Sequence, residues 1–144
     1  MFQKLKYEDR LLDWKDFREE LEIVKDPIQY AIDFYSQTPS LPRNVDPYDK
    51  ETWPSPWEII EENNYCLFLK LLGICYSLQL TDRFSTDTFE IHIVLDRDSS
   101  STYYLLYVRD RVIGYDGETH VAKKDLPRNF KRRLLPLCSE KCGI

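Results

Sequence analysis

The chain has 144 residues, 42% of them hydrophobic and 31% charged, with a formal net charge of −5. That length suits one domain, here 1–144, able to bury a core without disulfide or metal staples. The acidic balance argues against tracking of a nucleic-acid backbone, which needs clustered positive charge.

Residues 7–24 predict an amphipathic helix, with Leu11, Trp14, Phe17 (or Arg18) and Leu21 at three- and four-residue spacing among charged residues. Asp26-Pro27 predicts a second helix, Asp capping free N–H groups and Pro occupying the first helical position. Its apolar stripe is Ile28, Ala31, Ile32 and Tyr35. The stretch 37–54 is rich in Pro, Asp and aromatic residues and shows no periodicity. A loop of that length inside a small domain is typically functional or held by a partner.

Ser55-Pro56 repeats the capping logic, and Glu58 completes a capping box. A central helix is predicted from there to Leu72, stopped at Gly73, with Trp57 packing inward and Cys66 in its buried second half. The helical part thus spans about 7–72. From Ile74 the apolar period switches to two, and an antiparallel meander of about four strands is predicted over 74–116: ICYSLQLT, TFEIHIVLD, YYLLYV and RVIGYD. The tail 117–144 is predicted to carry one short helix around DLPRNFKRRLLP, capped by Asp125. The expected fold class is α+β: three N-terminal helices, then the meander, then the short C-terminal helix.

Cys66 and Cys75 lie in apolar surroundings, where free cysteine packs as a small hydrophobe. Cys138 and Cys142 form a C-x3-C pair with no second pair and no His at ligand spacing, so no metal is expected. Met1-Phe2-Gln3-Lys4 opens no apolar run of the secretory kind, and no stretch is long and apolar enough to span a membrane. Reduced thiols are therefore expected. Asp46, Asp49, Glu51 and Glu58 match no calcium loop and read as a solvated acidic segment. No glycine-rich phosphate loop is present, and no cofactor is expected.

The order of helix, His-bearing strand and Asp-ending strand over 53–116 resembles the core of transglutaminase-like and papain-like cysteine enzymes. In those folds a thiolate at a helix N-terminus is activated by a His that an Asp orients. Cys66, His92 and Asp110 (or Asp116) come in that order here. With Cys66 predicted well inside a helix, the nucleophile is out of place. His92, beside Glu90 on the polar side of its strand, reads as a solvated or Glu-neighboured histidine, and His120 as a loop residue.

The run DPYDKETWPSPWEIIEENNYCLFLKLLGICYSLQLTDRF, with FEIHIVLD and YYLLYVRDRVIGYDG, resembles a family of proteins from marine tailed phages, the T4-like cyanophages and their relatives. The resemblance carries no activity. It implies a setting: a protein made in a host bacterial cytoplasm and built into the virion, in its neck, tail or baseplate. Its partners would be other phage structural proteins, in a homo-oligomer or ring, without nucleic acid or membrane. Tyr48 and Trp53 are the candidate protein-contact residues, since exposed rigid aromatic side chains make the strongest interface anchors. Trp53 precedes Pro54, which keeps it extended and outside the helix. Two functions are expected to compete: a non-enzymatic assembly component, and a cysteine-dependent hydrolase or acyl transferase.

Overall fold

A computed structural model describes residues 1–40 and 45–127, and the backbone alone of 130–136. Among these residues the chain forms α1 (Tyr7–Leu21), α2 (Pro27–Tyr35), α3 (Pro56–Glu62) and α4 (Leu67–Gln79). The strands β1 (Phe89–Asp96), β2 (Thr102–Val108), β3 (Arg111–Asp116), β4 (Thr119–Ala122) and β5 (Phe130–Pro136) follow. They make one five-stranded sheet in the order β4-β3-β2-β1-β5, antiparallel throughout. The expected α+β class, helices first and an antiparallel meander after, is what the chain adopts.

The helices cover one face of the sheet. Trp14, Phe17 and Leu21 of α1, Ile28, Ala31 and Tyr35 of α2, and much of α4 form a single core with Phe89, Ile91, Leu106, Val108 and Ile113 of the strands. Strand alternation sends Val94, Leu105, Tyr107 and Val112 to the far face, where they form a second cluster with Leu126.

The helix starts follow the predicted capping chemistry. The Asp26 carboxylate accepts from the Gln29 N–H at 3.1 Å. Ser55 and Glu58 form a reciprocal capping box. The predicted central helix is nevertheless two helices. Asn63 takes the left-handed conformation (φ 53°, ψ 35°) and ends α3, as a side-chain amide can at a helix terminus. Its Nδ2–H donates to the Phe2 carbonyl at 2.8 Å, and Tyr65 N–H bonds the Pro39 carbonyl at 3.1 Å before α4 begins. Cys66 is consequently the N-cap of α4, not a mid-helix residue.

Gly73 does not stop a helix; it lies inside α4, where a Cβ would stand 2.6 Å from Cε1 of Tyr35. Its small size lets α2 lie close. The segment expected as the first strand, ICYSLQLT, completes α4. Every residue from Leu71 to Gln79 is buried, so polar and apolar faces no longer alternate with helical period. The sheet therefore starts at Phe89 rather than at residue 74, and β4 supplies the meander's fourth strand.

The predicted C-terminal helix is also absent. Residues 123–125 form a 3-10 turn, and 130–136 return as β5 alongside β1, pairing Asp96↔Phe130 through Glu90↔Pro136. A basic run with aliphatic ends reads as a helix by composition, but β1 offers it an open edge. Cys138 and Cys142 lie outside the described residues.

Candidate functional site

The sequence candidates for catalysis fall on two sides of the sheet. Cys66, half-buried, packs against the helix-side core. His92 is paired in register with Leu105 of the far-face cluster, and its ring stacks on Tyr107 at 4.0 Å between centroids. Its Nε2 lies 3.0 Å from Oε2 of Glu90. The expected Glu neighbour is there, but the ring is buried at 7% exposure rather than solvated. Asp110 is exposed in the β2–β3 turn, its carbonyl accepting from Lys123 N–H at 2.9 Å. Asp116 ends β3 and caps the following turn through Glu118 N–H at 3.1 Å. The structure thus gives Cys66 the helix-terminal position that the sequence reading denied it, and places His92 behind the sheet.

On the Cys66 side, strand β2 presents Tyr104, the register partner of Ile93. Tyr104 meets Phe68 edge-on at 5.6 Å. Burial raises its phenol pKa, and the nearby Tyr48 and Cys66 add to the rise. Tyr104 therefore stays a neutral hydroxyl.

A cleft of about 440 Å³ opens beside this point, between α2, α4 and the ends of β2 and β3. Its α4 wall is Leu67, Lys70, Leu71 and Ile74, the i, i+3, i+4, i+7 spacing of one helix face. Across it stand Ile32 and Tyr35 of α2. The β2–β3 register runs from Val108↔Arg111 to Leu106↔Ile113 and stops. Beyond it, the β3–β4 pairing is also irregular between Ile113 and Asp116. Gly114 makes that departure possible: its φ is +105°, and a Cβ there would sit 2.2 Å from the Tyr104 carbonyl oxygen.

The cleft escaped the sequence reading because its stripe was divided between a supposed helix and a supposed strand. With α4 begun at Leu67, the same spacing is legible.

Trp53 and Trp57, on either side of the α3 start, sit differently from expectation. Trp53 is half-buried against the core, tilted on Phe68 at 5.2 Å, with its Nε1–H donating to the Asp46 carbonyl at 3.3 Å. It does not stand out from the molecule. Trp57, expected to pack inward, is 41% exposed and meets Trp14 edge-on at 6.2 Å. Capping placed Trp57 correctly in the first turn, but the face of α3 that turns inward carries Ile59 and Ile60. Tyr48 is 45% exposed and Leu67 75%. The acidic loop residues serve the backbone, Asp46 accepting from Tyr48 N–H and Asp49 from Glu51 N–H.

A separate polar cluster fastens α2 to β4. His120, in β4 rather than a loop, accepts from Arg111 Nε–H at Nδ1 (2.7 Å) and donates from Nε2 to Asp26 (3.1 Å). Burial pushes the Asp26 carboxyl up, but the Gln29 N–H, His120 and Arg111 outweigh it and hold it below the usual carboxylate range. Both imidazole nitrogens are engaged, so this is a clamp rather than a base. Among the described residues no group of three or more His, Cys, Asp or Glu is placed to hold a metal ion, and no helix is long and apolar enough to cross a membrane.

Fold and cleft define an α+β protein with helices layered on one face of an antiparallel sheet. Comparison with protein-family models, curated proteins and solved structures finds no match for the chain.

Proposed function

We propose that the protein is a non-enzymatic assembly component that acts through protein–protein contact, and that its setting is the particle of a tailed phage. The observation that carries the contact reading is the open cleft between α4 and the ends of β2 and β3, with exposed Leu67 at its lip and Tyr48 near Tyr104. Apolar floor, aromatic wall and protruding aliphatic rim are what a partner chain buries. The phage setting is supported by the resemblance of 46–84, 89–96 and 103–117 to cyanophage proteins. Neck, tail and baseplate remain equal placements within it, and assembly as a homo-oligomer or ring is part of the same proposal.

The test is quantitative mass spectrometry of density-purified particles, with Leu67→Asp as control. The chain should appear at a constant ratio to the major structural proteins, and the variant should be lost from particles while keeping its melting temperature. Absence of the unmodified chain from particles would sink the virion setting.

One observation favours the second reading. Cys66 stands at the N-terminus of a 13-residue helix with no side-chain cap, the position that the nucleophile takes in cysteine enzymes of the kind it resembles. A hydrolase or acyl transferase would then need a base on the helix side of the sheet, where β2 presents the Tyr104 hydroxyl near Cys66. Burst release of nitrophenol from a nitrophenyl ester, abolished by Cys66→Ser, would establish that reading against ours.

A further inference from the structure

We propose that the outer end of the β3–β4 hairpin, residues 114–119, is a hinged flap on the cleft, latched to α2 by Gln29 and by the His120–Asp26 bond. The flap goes beyond the contact reading above and holds for any occupant of the cleft. Residues 114–117 form one border of the cleft, and Ile32 and Tyr35 of α2, with Ser36 at the helix end, form another. Movement of the hairpin end against α2 therefore changes the opening.

Several features loosen the hairpin at this end. Its ladder with β2 stops at the Leu106↔Ile113 pair, and among the described residues Ile113 is the last of the hairpin in the helix-side core. The chain then turns at Gly114 with φ +105°, a conformation open to glycine, and the β3–β4 pairing is irregular up to Asp116. Asp116, Gly117 and Glu118 are exposed. On the far face Tyr115 meets Tyr103 at 5.6 Å between centroids, beside the hinge rather than at the tip. What ties the end to α2 is polar. Gln29 Nε2–H donates to the Glu118 carbonyl at 2.8 Å, and Gln29 Oε1 accepts from the Thr119 hydroxyl at 2.8 Å. The Asp33 carboxylate accepts from the same Gln29 amide nitrogen at 2.9 Å and orients it for both bonds. His120 Nε2–H donates to Asp26 at 3.1 Å, its ring held in that orientation by Arg111. Hydrogen bonds at the surface are exchanged for bonds to water at small net cost, so this tie opens well before the packed core does.

The test is amide relaxation-dispersion NMR on the full chain, which reads exchange on the microsecond-to-millisecond timescale. Exchange should centre on residues 114–119, with Leu71 and Ile74 of α4 quiet. Gln29→Ala removes the Gln29 bonds and keeps a good helix former in α2. It should raise the population of the open state about fivefold, the size of one net hydrogen bond. Thr119→Val removes the hydroxyl alone and should raise that population by a smaller factor. Dispersion at 114–119 that is the same in Gln29→Ala as in the parent would overturn the flap. Exchange spread equally through α4 and β1 would overturn it too, because the hairpin end would then open only when the domain unfolds.

Discussion

Tyr35 shows how a single buried hydroxyl is kept. Ser77 Oγ–H donates to the Gly73 carbonyl at 2.8 Å and accepts from Trp14 Nε1–H and the Tyr35 hydroxyl, each at 3.0 Å. Three elements meet in this one satisfied knot, which is why polar groups there cost little. Burial pushes the Tyr35 phenol up from 10.0 to about 12, against the lowering effect of its hydrogen bonds. The neutral form is favoured in the folded state, so its contribution is whole below the unfolded phenol's pKa and is lost as pH rises towards the folded value. Across that window the loss is of the order of 3 kcal/mol. Tyr35→Phe should cost about 1 kcal/mol at neutral pH, one hydrogen bond, and then flatten the alkaline fall when stability is measured by urea unfolding between neutral and alkaline pH. A variant that falls as steeply as the parent would place the titration on another tyrosine. At the same scale, Trp53→Ala should destabilise by about 2–3 kcal/mol because it strips a ring from Phe68. Trp57→Ala should cost about 1 kcal/mol or less, since much of that ring is in solvent already. Paired denaturant curves check the order.

Helix α4 is the element that the sequence concealed and on which most of the fold depends. Starts were legible wherever a side chain does the capping, at Asp26 and Ser55. The Asn63 stop was not, because asparagine serves turns and helix ends alike and only the backbone shows which. Past that stop, periodicity failed for a physical reason: a helix buried from Leu71 to Gln79 has no polar face to mark its turns. Strands β1 to β3, each with one face on the helical core, kept their alternation and were readable to within a residue or two. Of the candidate site, the residue types were visible but not their meeting, since the cleft depends on where α4 begins and on where β2 and β3 part. Gly73 tests this element. Alanine there would gain up to about 1 kcal/mol of helix propensity, yet its Cβ would stand 2.6 Å and 2.9 Å from two atoms of the fixed Tyr35 ring. Overpacking of a rigid core contact costs about 1–3 kcal/mol. Gly73→Ala should therefore destabilise on balance, by about 1–2 kcal/mol in thermal or urea unfolding. A more stable variant would mean that α2 can shift off α4 freely.

At the scale of the molecule, the sheet is a partition. Helix-side and far-side residues are separately clustered, and the two groups with catalytic potential, Cys66 and His92, are assigned one to each side. Strand geometry makes this firm: Ile91 and Ile93 flank His92 and point the opposite way, towards the helices and Tyr104. Asp110 is displaced as well, six positions along from Tyr104, or about 20 Å at ~3.3 Å per strand residue. The partition predicts that Cys66 and His92 are chemically independent. In a cysteine enzyme, His→Ala lowers thiol reactivity at neutral pH because the thiolate loses its cationic partner. Here the iodoacetamide rate at Cys66, followed by mass spectrometry of the intact full-length chain with peptide mapping, should be the same within about twofold in His92→Ala. Tyr104→Phe is the informative companion, since Cys66 is one of the groups that raise the Tyr104 phenol pKa. Removing its hydroxyl should change the rate more than removing the imidazole does. A tenfold or greater fall in His92→Ala alone would mean that the two groups communicate through the sheet, and the enzyme reading would then displace the assembly reading.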